Sequence, residues 1–147
     1  MLTDLILAIS HHLLVFGLLA VLVMEIMLTR PEMTSAQVVR VGWLDTAYGA
    51  LASLVLAVGI GRVFFGLKGW EFYATNPFFW AKIAAFLLVG GLSVPPTLRI
   101  VGWRAAARGN SDFRPQSGEI RTVRRYMHWE AAVFVLIPIF AAVMARS

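Results

Sequence analysis

Two adjacent histidines and two basic residues interrupt long apolar stretches of this sequence. His11 and His12 lie in the first stretch, Arg62 in the second and Lys82 in the third. An ionisable side chain inside a membrane span costs about 2.5–3.5 kcal/mol on insertion scales, so each of the four is a candidate for function. Imidazole is an axial ligand of haem iron, and cations pair with carboxylates such as the haem propionates. We therefore predict a haem b site in which His11 or His12 binds the metal. Lys82 and Arg62 would contact the propionates or supply a second axial group.

A simpler interpretation of the same four residues also holds at this point. Consecutive helical residues point about 100° apart, so at most one of His11 and His12 aims straight into a helix bundle. An interfacial histidine can bond to water or to a lipid headgroup, and Lys82 can extend its ammonium group outward to the membrane surface. The sequence leaves both interpretations open, and it leaves open which histidine faces inward.

Small and polar residues of the second apolar stretch recur in alternating steps of three and four residues, at Asp45, Tyr48, Ala52, Val55, Gly59 and Arg62. This spacing keeps them on one stripe of a supercoiled helix, and the stripe should face the bundle interior. Small Ala52 and Gly59 would leave room for a flat ligand, and we predict that Tyr48 and Gly59 of this stripe contact the cofactor. Ordinary packing of small residues against a neighbouring helix accounts for the stripe equally well.

Acidic residues occur near the other ends of the apolar stretches, at Glu25, Asp45 and Glu130, close in sequence to many arginines. One expectation is that the three form ion pairs with those arginines and hold the helix ends in place. A buried carboxyl group would instead relay protons or bind a cationic group. We predict that Asp45 and Glu130, together with Lys82, are the catalytic residues.

The composition requires that lipid cover much of the chain. Hydrophobic residues make up 59% of the 147 positions and charged residues 14%, whereas soluble domains are about 45–50% apolar and about 25% charged. Four segments are long and apolar enough to cross a bilayer, at about 5–28, 43–67, 78–100 and 129–145. We predict an all-α, integral membrane four-helix bundle in a single domain, residues 1–147. The absence of cysteine excludes disulfides and thiolate metal sites.

The distribution of basic residues predicts the orientation of the bundle. Counting Arg99, the first and third connections carry nine of the thirteen lysines and arginines, and the long third connection spans residues 101–127. By the positive-inside rule both connections are cytoplasmic, which places both termini on the non-cytoplasmic side. We expect a multi-pass protein of the bacterial inner membrane with a retained first helix. The net charge of +5 is explained by this asymmetry and not by nucleic-acid binding.

The arrangement resembles the HemJ-type protoporphyrinogen oxidases and their four-helix, haem-binding membrane relatives. The resemblance rests on the early helix-one histidine, the Trp80-Ala81-Lys82 segment and the Arg-rich approach to Glu130. It implies haem b, with His11 or His12 and Lys82 important for binding and activity and Glu130 as the helix-four acidic position. This chain departs from those oxidases in its paired histidines, its lack of a following Trp-containing stretch, and its Asp45 and Tyr48. The departures place it nearer to a separate bacterial membrane family of the same superfamily.

Two classes of function follow. The first is a b-type haem redox protein, a haem-dependent membrane oxidoreductase that in its most concrete form oxidises a porphyrinogen and passes electrons to a quinone. The second is non-enzymatic: a small transporter, or an assembly or structural subunit of a membrane complex. Four helices leave little room for a transport path, so the transporter hypothesis would require a homo-oligomer. Membrane lipids are expected partners in either case.

Overall fold

A computed structural model describes residues 2–146, and within that range all regular structure is helical. The six helices are α1 (Leu2–Leu28), α2 (Ser35–Phe65), α3 (Gly69–Thr75), α4 (Pro77–Gly109), α5 (Ser117–Phe134) and α6 (Leu136–Arg146). Four segments are long and apolar enough to cross a membrane: α1, α2, α4 and the segment Ser117–Arg146, which α5 and α6 form together. The prediction of an all-α four-helix membrane bundle is confirmed.

Local hydrogen bonds determine where two of the spanning helices begin. Thr34 and Gln37 form a reciprocal capping box in which each side chain accepts a hydrogen bond from the backbone N–H of the other, at 3.3 and 2.9 Å. The Asn76 side chain accepts from Phe78 N at 3.0 Å, and Pro77 occupies the first position of α4. α2 therefore starts well before the predicted boundary at Trp43, and the predicted start of α4 is accurate to one residue.

The predicted cytoplasmic loop 101–127 was wrong in extent, because only residues 110–116 connect α4 to α5. Both helices continue past their apolar segments as amphipathic helices. Their inward faces bury Trp103, Ile120, Val123 and Met127, while Arg108, Arg121 and Arg125 remain exposed. Hydropathy detects the part of a helix that contacts lipid, and it misses a helical extension that alternates apolar and charged residues.

The bundle has two distinct ends. At the terminal end, defined by the start of α1, by α3 and by the end of α6, Leu67 N donates to Asp4 Oδ1 at 3.3 Å and Met144 packs near Tyr73. At the loop end, defined by connections 29–34 and 110–116, Ser35 Oγ donates to the Ser111 carbonyl at 2.8 Å. Each connection contains one arginine, and the other basic residues that the sequence assigned to this end lie on the adjoining parts of α2, α4 and α5. The cytoplasmic placement of that end stays a prediction.

Three buried clusters run along the bundle axis. The loop-end cluster includes Val38, Ile100 and Val123, and the terminal-end cluster includes Val63, Tyr73 and Phe79. The central cluster joins α1, α2, α4, α5 and α6 through Leu18, Leu22, Tyr48, Val55, Ala85, Val89, Phe134 and Ile137. Large apolar side chains such as Phe16, Leu87 and Leu98 are exposed on the outside. This apolar outer surface is suited to contact with lipid. The polar side chains of the candidate site lie between the helices.

Candidate functional site

The structure separates the two histidines. His11 is turned toward α2 and lines a cavity in the bundle; its buried Nδ1 atom has no partner of good hydrogen-bond geometry among residues 2–146, although the ring interacts with the Val55 carbonyl of α2. His12 is exposed, and its Nδ1 lies 2.7 Å from the Ala8 carbonyl oxygen. The rings lie edge to face with centroids 6.4 Å apart. Of the two predicted metal ligands, only His11 is placed to bind a ligand inside the bundle.

A cavity of about 100 Å³ lies in front of His11. Gly59 and Lys82 border it, and the rest of its lining is apolar: Val15, Leu18, Val55, Leu56, Ile60, Val63, Phe79, Ile83, Phe86, Phe134 and Ile137. A side chain at Gly59 would bring its Cβ to 3.3 Å from His11 Cε1, so glycine permits the imidazole to lie against α2. The structure thus brings His11, Gly59 and Lys82 to one cavity, and their roles in binding stay a prediction.

Within residues 2–146, neither of the two cations near this imidazole forms an ion pair. Lys82 and Arg62 both interact electrostatically with His11. Lys82 Nζ lies 5.3 Å from the centroid of the Phe79 ring, and Arg62 Nε is buried and unpartnered within the described chain. The ion pair found in residues 2–146 joins Arg99 to Glu119 at 2.6 Å, at the loop end. The His11 cavity is therefore electropositive and suited to a carboxylate or another anionic group.

A second cavity, of about 460 Å³, lies between α2 and α4 and shares Leu18, Leu56 and Phe86 with the first. Asp45, Tyr48 and Thr97 line its loop-end part. Thr97 Oγ1 donates a 2.6 Å hydrogen bond to Asp45 Oδ1. Asp45 and Tyr48, which the sequence placed on the same stripe as Gly59, thus belong to a neighbouring cavity and not to the space in front of His11.

The expected ion pairs of Glu25, Asp45 and Glu130 with arginine do not form in the described part of the chain. Glu25 and Glu130 are 2% and 1% exposed, and one oxygen of each has no hydrogen-bond partner in residues 2–146. Glu25 instead faces the other two acidic residues across the helix interfaces. Three carboxyl groups from α1, α2 and α5 thus meet between the helices.

The nearby arginines bind backbone oxygens instead. Arg124 donates to the Ile26 carbonyl at 2.8 Å and to the Thr29 carbonyl. Arg104 donates to the Gly42 carbonyl at 3.3 Å and to Thr46 Oγ1 at 3.1 Å, and its guanidinium lies 4.2 Å from the Trp43 ring centroid. The last carbonyls of α1 lack intrahelical donors, so Arg124 is accommodated there without a carboxylate. Arg104 instead reaches a carbonyl inside α2, and its Nε atom has no hydrogen-bond partner within residues 2–146.

Sequence reasoning missed the roles of Thr97 and Arg104. Thr97 follows Pro95-Pro96 and carries no charge, so nothing in its local pattern marks it as the partner of Asp45. The prediction assigned Arg104 to a loop, whereas it lies on α4 and packs against α2. No group of three or more His, Asp or Glu residues within residues 2–146 is arranged to hold a metal ion.

Comparison with protein families gives one match, which spans residues 3–147 and is described as "Predicted membrane protein (DUF2214)". The chain belongs to this DUF2214 family. Neither the curated proteins nor the solved structures contain a significant match to it. Membership of DUF2214 confirms the membrane-protein part of the sequence prediction. The narrower likeness to HemJ-type oxidases stays a prediction for this DUF2214 member, as does its location in a bacterial inner membrane.

Proposed function

We propose that this membrane protein binds haem b through His11 and has a redox function. The observation that carries the proposal is the buried, unpartnered Nδ1 of His11, which borders a cavity shared with Lys82. A buried nitrogen without a well-formed hydrogen bond costs free energy, so a ligand that bonds to His11 Nδ1 would stabilise the inward position of the ring. Coordination to iron would satisfy it.

The residues around His11 fit the chemistry of a haem. Iron needs an imidazole nitrogen, and the propionates need cations, for which Lys82 and Arg62 are available. Phenylalanines at 79, 86 and 134 offer apolar contact to a macrocycle. The cavity of about 100 Å³ is smaller than a haem, so the macrocycle must extend into the adjoining cavity of about 460 Å³ between α2 and α4. Leu18, Leu56 and Phe86 lie between the two cavities, so these side chains would have to move to admit the macrocycle.

Each residue then has a definite task. His11 would hold the iron, Gly59 lets the imidazole approach α2, and Lys82 and Arg62 would neutralise the carboxylates. When bound, haem supplies one-electron redox chemistry. Under the HemJ-like version of this function, the substrate is a porphyrinogen and the electron acceptor a quinone. Of the three predicted catalytic residues only Lys82 borders the His11 cavity, whereas Asp45 borders the second cavity and Glu130 neither.

The visible absorbance spectrum of the purified protein tests this proposal. We expect a Soret band for the wild type and for His12→Ala, and no Soret band for His11→Ala. His12 is the matched control because it is the same residue type on the same helix with an exposed ring. Circular dichroism and size-exclusion elution must show that both variants fold. A colourless wild type purified from haem-replete membranes, or a band lost equally in both variants, would refute the proposal.

A second candidate is a small transporter, favoured by the larger cavity with Asp45 at its loop-end part. Its test uses a different pair of variants. A cellular activity that survives the loss of both histidines and fails in Asp45→Asn would favour transport. The reverse result would favour the haem protein.

A further inference from the structure

Two glutamates are enclosed at the loop-end half of the bundle, and neither forms an ion pair within residues 2–146. Glu25 lies on α1 and Glu130 on α5, and each interacts electrostatically with Asp45 on α2. Glu25 Oε1 and Glu130 Oε1 both lack a hydrogen-bond partner in the described residues. Effective desolvation of an ion in a protein interior costs several kcal/mol, so two adjacent unpaired carboxylates are not both stable here.

Charged and titratable side chains of α4 and α5 lie around the pair. On α4, Arg104 contacts Asp45 electrostatically but directs its hydrogen bonds to Gly42 and Thr46. On α5, Arg124 binds the carbonyls at the end of α1, and His128 Nδ1 lies 2.6 Å from the Arg124 carbonyl at an exposed position. Within residues 2–146, none of these side chains forms a salt bridge with Glu25 or Glu130.

Tyr48, which is not acidic, also lies beside the pair. Its side chain is 6% exposed, and its hydroxyl interacts with the Glu130 carboxyl group without reaching good hydrogen-bond geometry. That hydroxyl has no hydrogen-bond partner in the part of the chain that the structure describes. Tyr48 and Asp45 both line the cavity between α2 and α4, whereas Glu25 and Glu130 do not. The hydroxyl therefore stands between a cavity large enough for water and the enclosed pair.

We propose that Glu25 and Glu130 form a proton-binding site, loaded and emptied from the cavity between α2 and α4 through Asp45 and Tyr48. A proton arriving from cavity water is taken by the Asp45 carboxylate. The Asp45 O–H bond then breaks and its proton passes through cavity water to the Tyr48 oxygen, as the Tyr48 hydrogen passes to a carboxylate oxygen of Glu130. One O–H bond forms for each one that breaks, and no electron moves. The proton-binding site does not require haem, so it can be tested independently of haem binding.

Infrared spectroscopy of the protein in lipid nanodiscs tests the site directly. At neutral pH we expect a carboxylic-acid C=O band that shifts in deuterated water. Glu25→Gln and Glu130→Gln should each remove intensity from this band, and Asp112→Asn should not, because Asp112 lies in the exposed 110–116 connection. Tyr48→Phe should retain the band and slow its hydrogen–deuterium exchange. Asp45→Asn should slow the exchange as well.

Several results would overturn the proposal. The first is a wild-type spectrum that lacks the carboxylic-acid band and whose carboxylate bands change when Na⁺ is exchanged for K⁺. This result would indicate that the glutamates bind a cation. The second is a band that is unchanged in both glutamine variants. The third is an exchange rate unaffected by Tyr48→Phe and Asp45→Asn. The Soret band of the same samples reports haem binding separately. A wild type that lacks the Soret band and retains the carboxylic-acid band contradicts only the haem proposal.

Discussion

The imidazole of His11 lies so close to α2 that a Cβ atom on Gly59 would be 3.3 Å from its Cε1 atom. Few side-chain contacts are this short, so any residue other than glycine must displace the ring. The contact links the rotation of α1 to the small-residue stripe of α2. It also sets where a ligand of His11 must lie, in the cavity bordered by Lys82.

Substitution of Gly59 should differ from substitution of a nearby glycine. Alanine favours a helix over glycine by about 1 kcal/mol. We expect Gly61→Ala to be neutral or stabilising, since its Cβ would lie 3.8 Å from Leu7 in ordinary contact. Gly59→Ala should not show this stabilisation and should weaken any Soret band, because the His11 imidazole must move away from the new Cβ atom. Thermal unfolding in detergent measures the first effect. Equal stabilities and spectra for the two variants would contradict the contact.

Removal of the Lys82 charge should weaken haem binding. A charge-assisted hydrogen bond to a propionate contributes about 2 kcal/mol, so Lys82→Met should raise the Kd by about 30-fold. Lys68→Met is the matched control, because Lys68 is exposed and its ammonium lies 4.0 Å from the Phe72 ring centroid, outside the cavity. Titration of the apoprotein with haem, followed at the Soret band, gives both constants. Comparable losses in the two variants would mean that net charge, and not Lys82, matters.

Arg124 should stabilise the end of α1. Its guanidinium donates to two carbonyls there, and hydrogen bonds from charged donors contribute about 1.5–3 kcal/mol. We expect Arg124→Gln to lower the free energy of unfolding by about 2 kcal/mol. Arg125→Gln, at the exposed neighbouring position, should change it by less than about 0.5 kcal/mol. Reversible unfolding in mixed micelles measures both, and a larger loss for Arg125→Gln would rule out this role.

The hydrogen bond between Thr97 and Asp45 should also contribute to stability. Thr97→Val leaves Asp45 Oδ1 without its donor, and an unsatisfied buried acceptor costs about 1–3 kcal/mol. Thr122→Val removes a hydroxyl that bonds only within its own exposed helix turn, at 3.1 Å from the Gly118 carbonyl. We expect it to have a much smaller effect in the same unfolding assay. If the two substitutions prove equivalent, the Asp45 contact contributes little.

Much of this architecture follows from composition alone. Apolar stretches of about 20 residues must be helical in lipid, because every backbone polar group has to be satisfied within the segment. The sequence therefore determined the number of spanning helices. It also identified the ionisable residues within them, since such residues are costly there and stand out. The amphipathic ends of α4 and α5 were missed because they are covered partly by protein and partly by water, and mean hydropathy does not detect that pattern.

Tertiary structure decided what those residues face. His11 and His12 are adjacent, so only the rotation of α1, set by burial of Leu18, Leu22 and Glu25, could separate an inward ring from an outward one. Charge alone predicted that Glu25 and Glu130 would pair with arginine. Packing instead brought Arg124 to the carbonyl end of α1 and left the two glutamates enclosed. A sequence records which groups are present, whereas the partner of a buried group depends on which helix faces supply its neighbours.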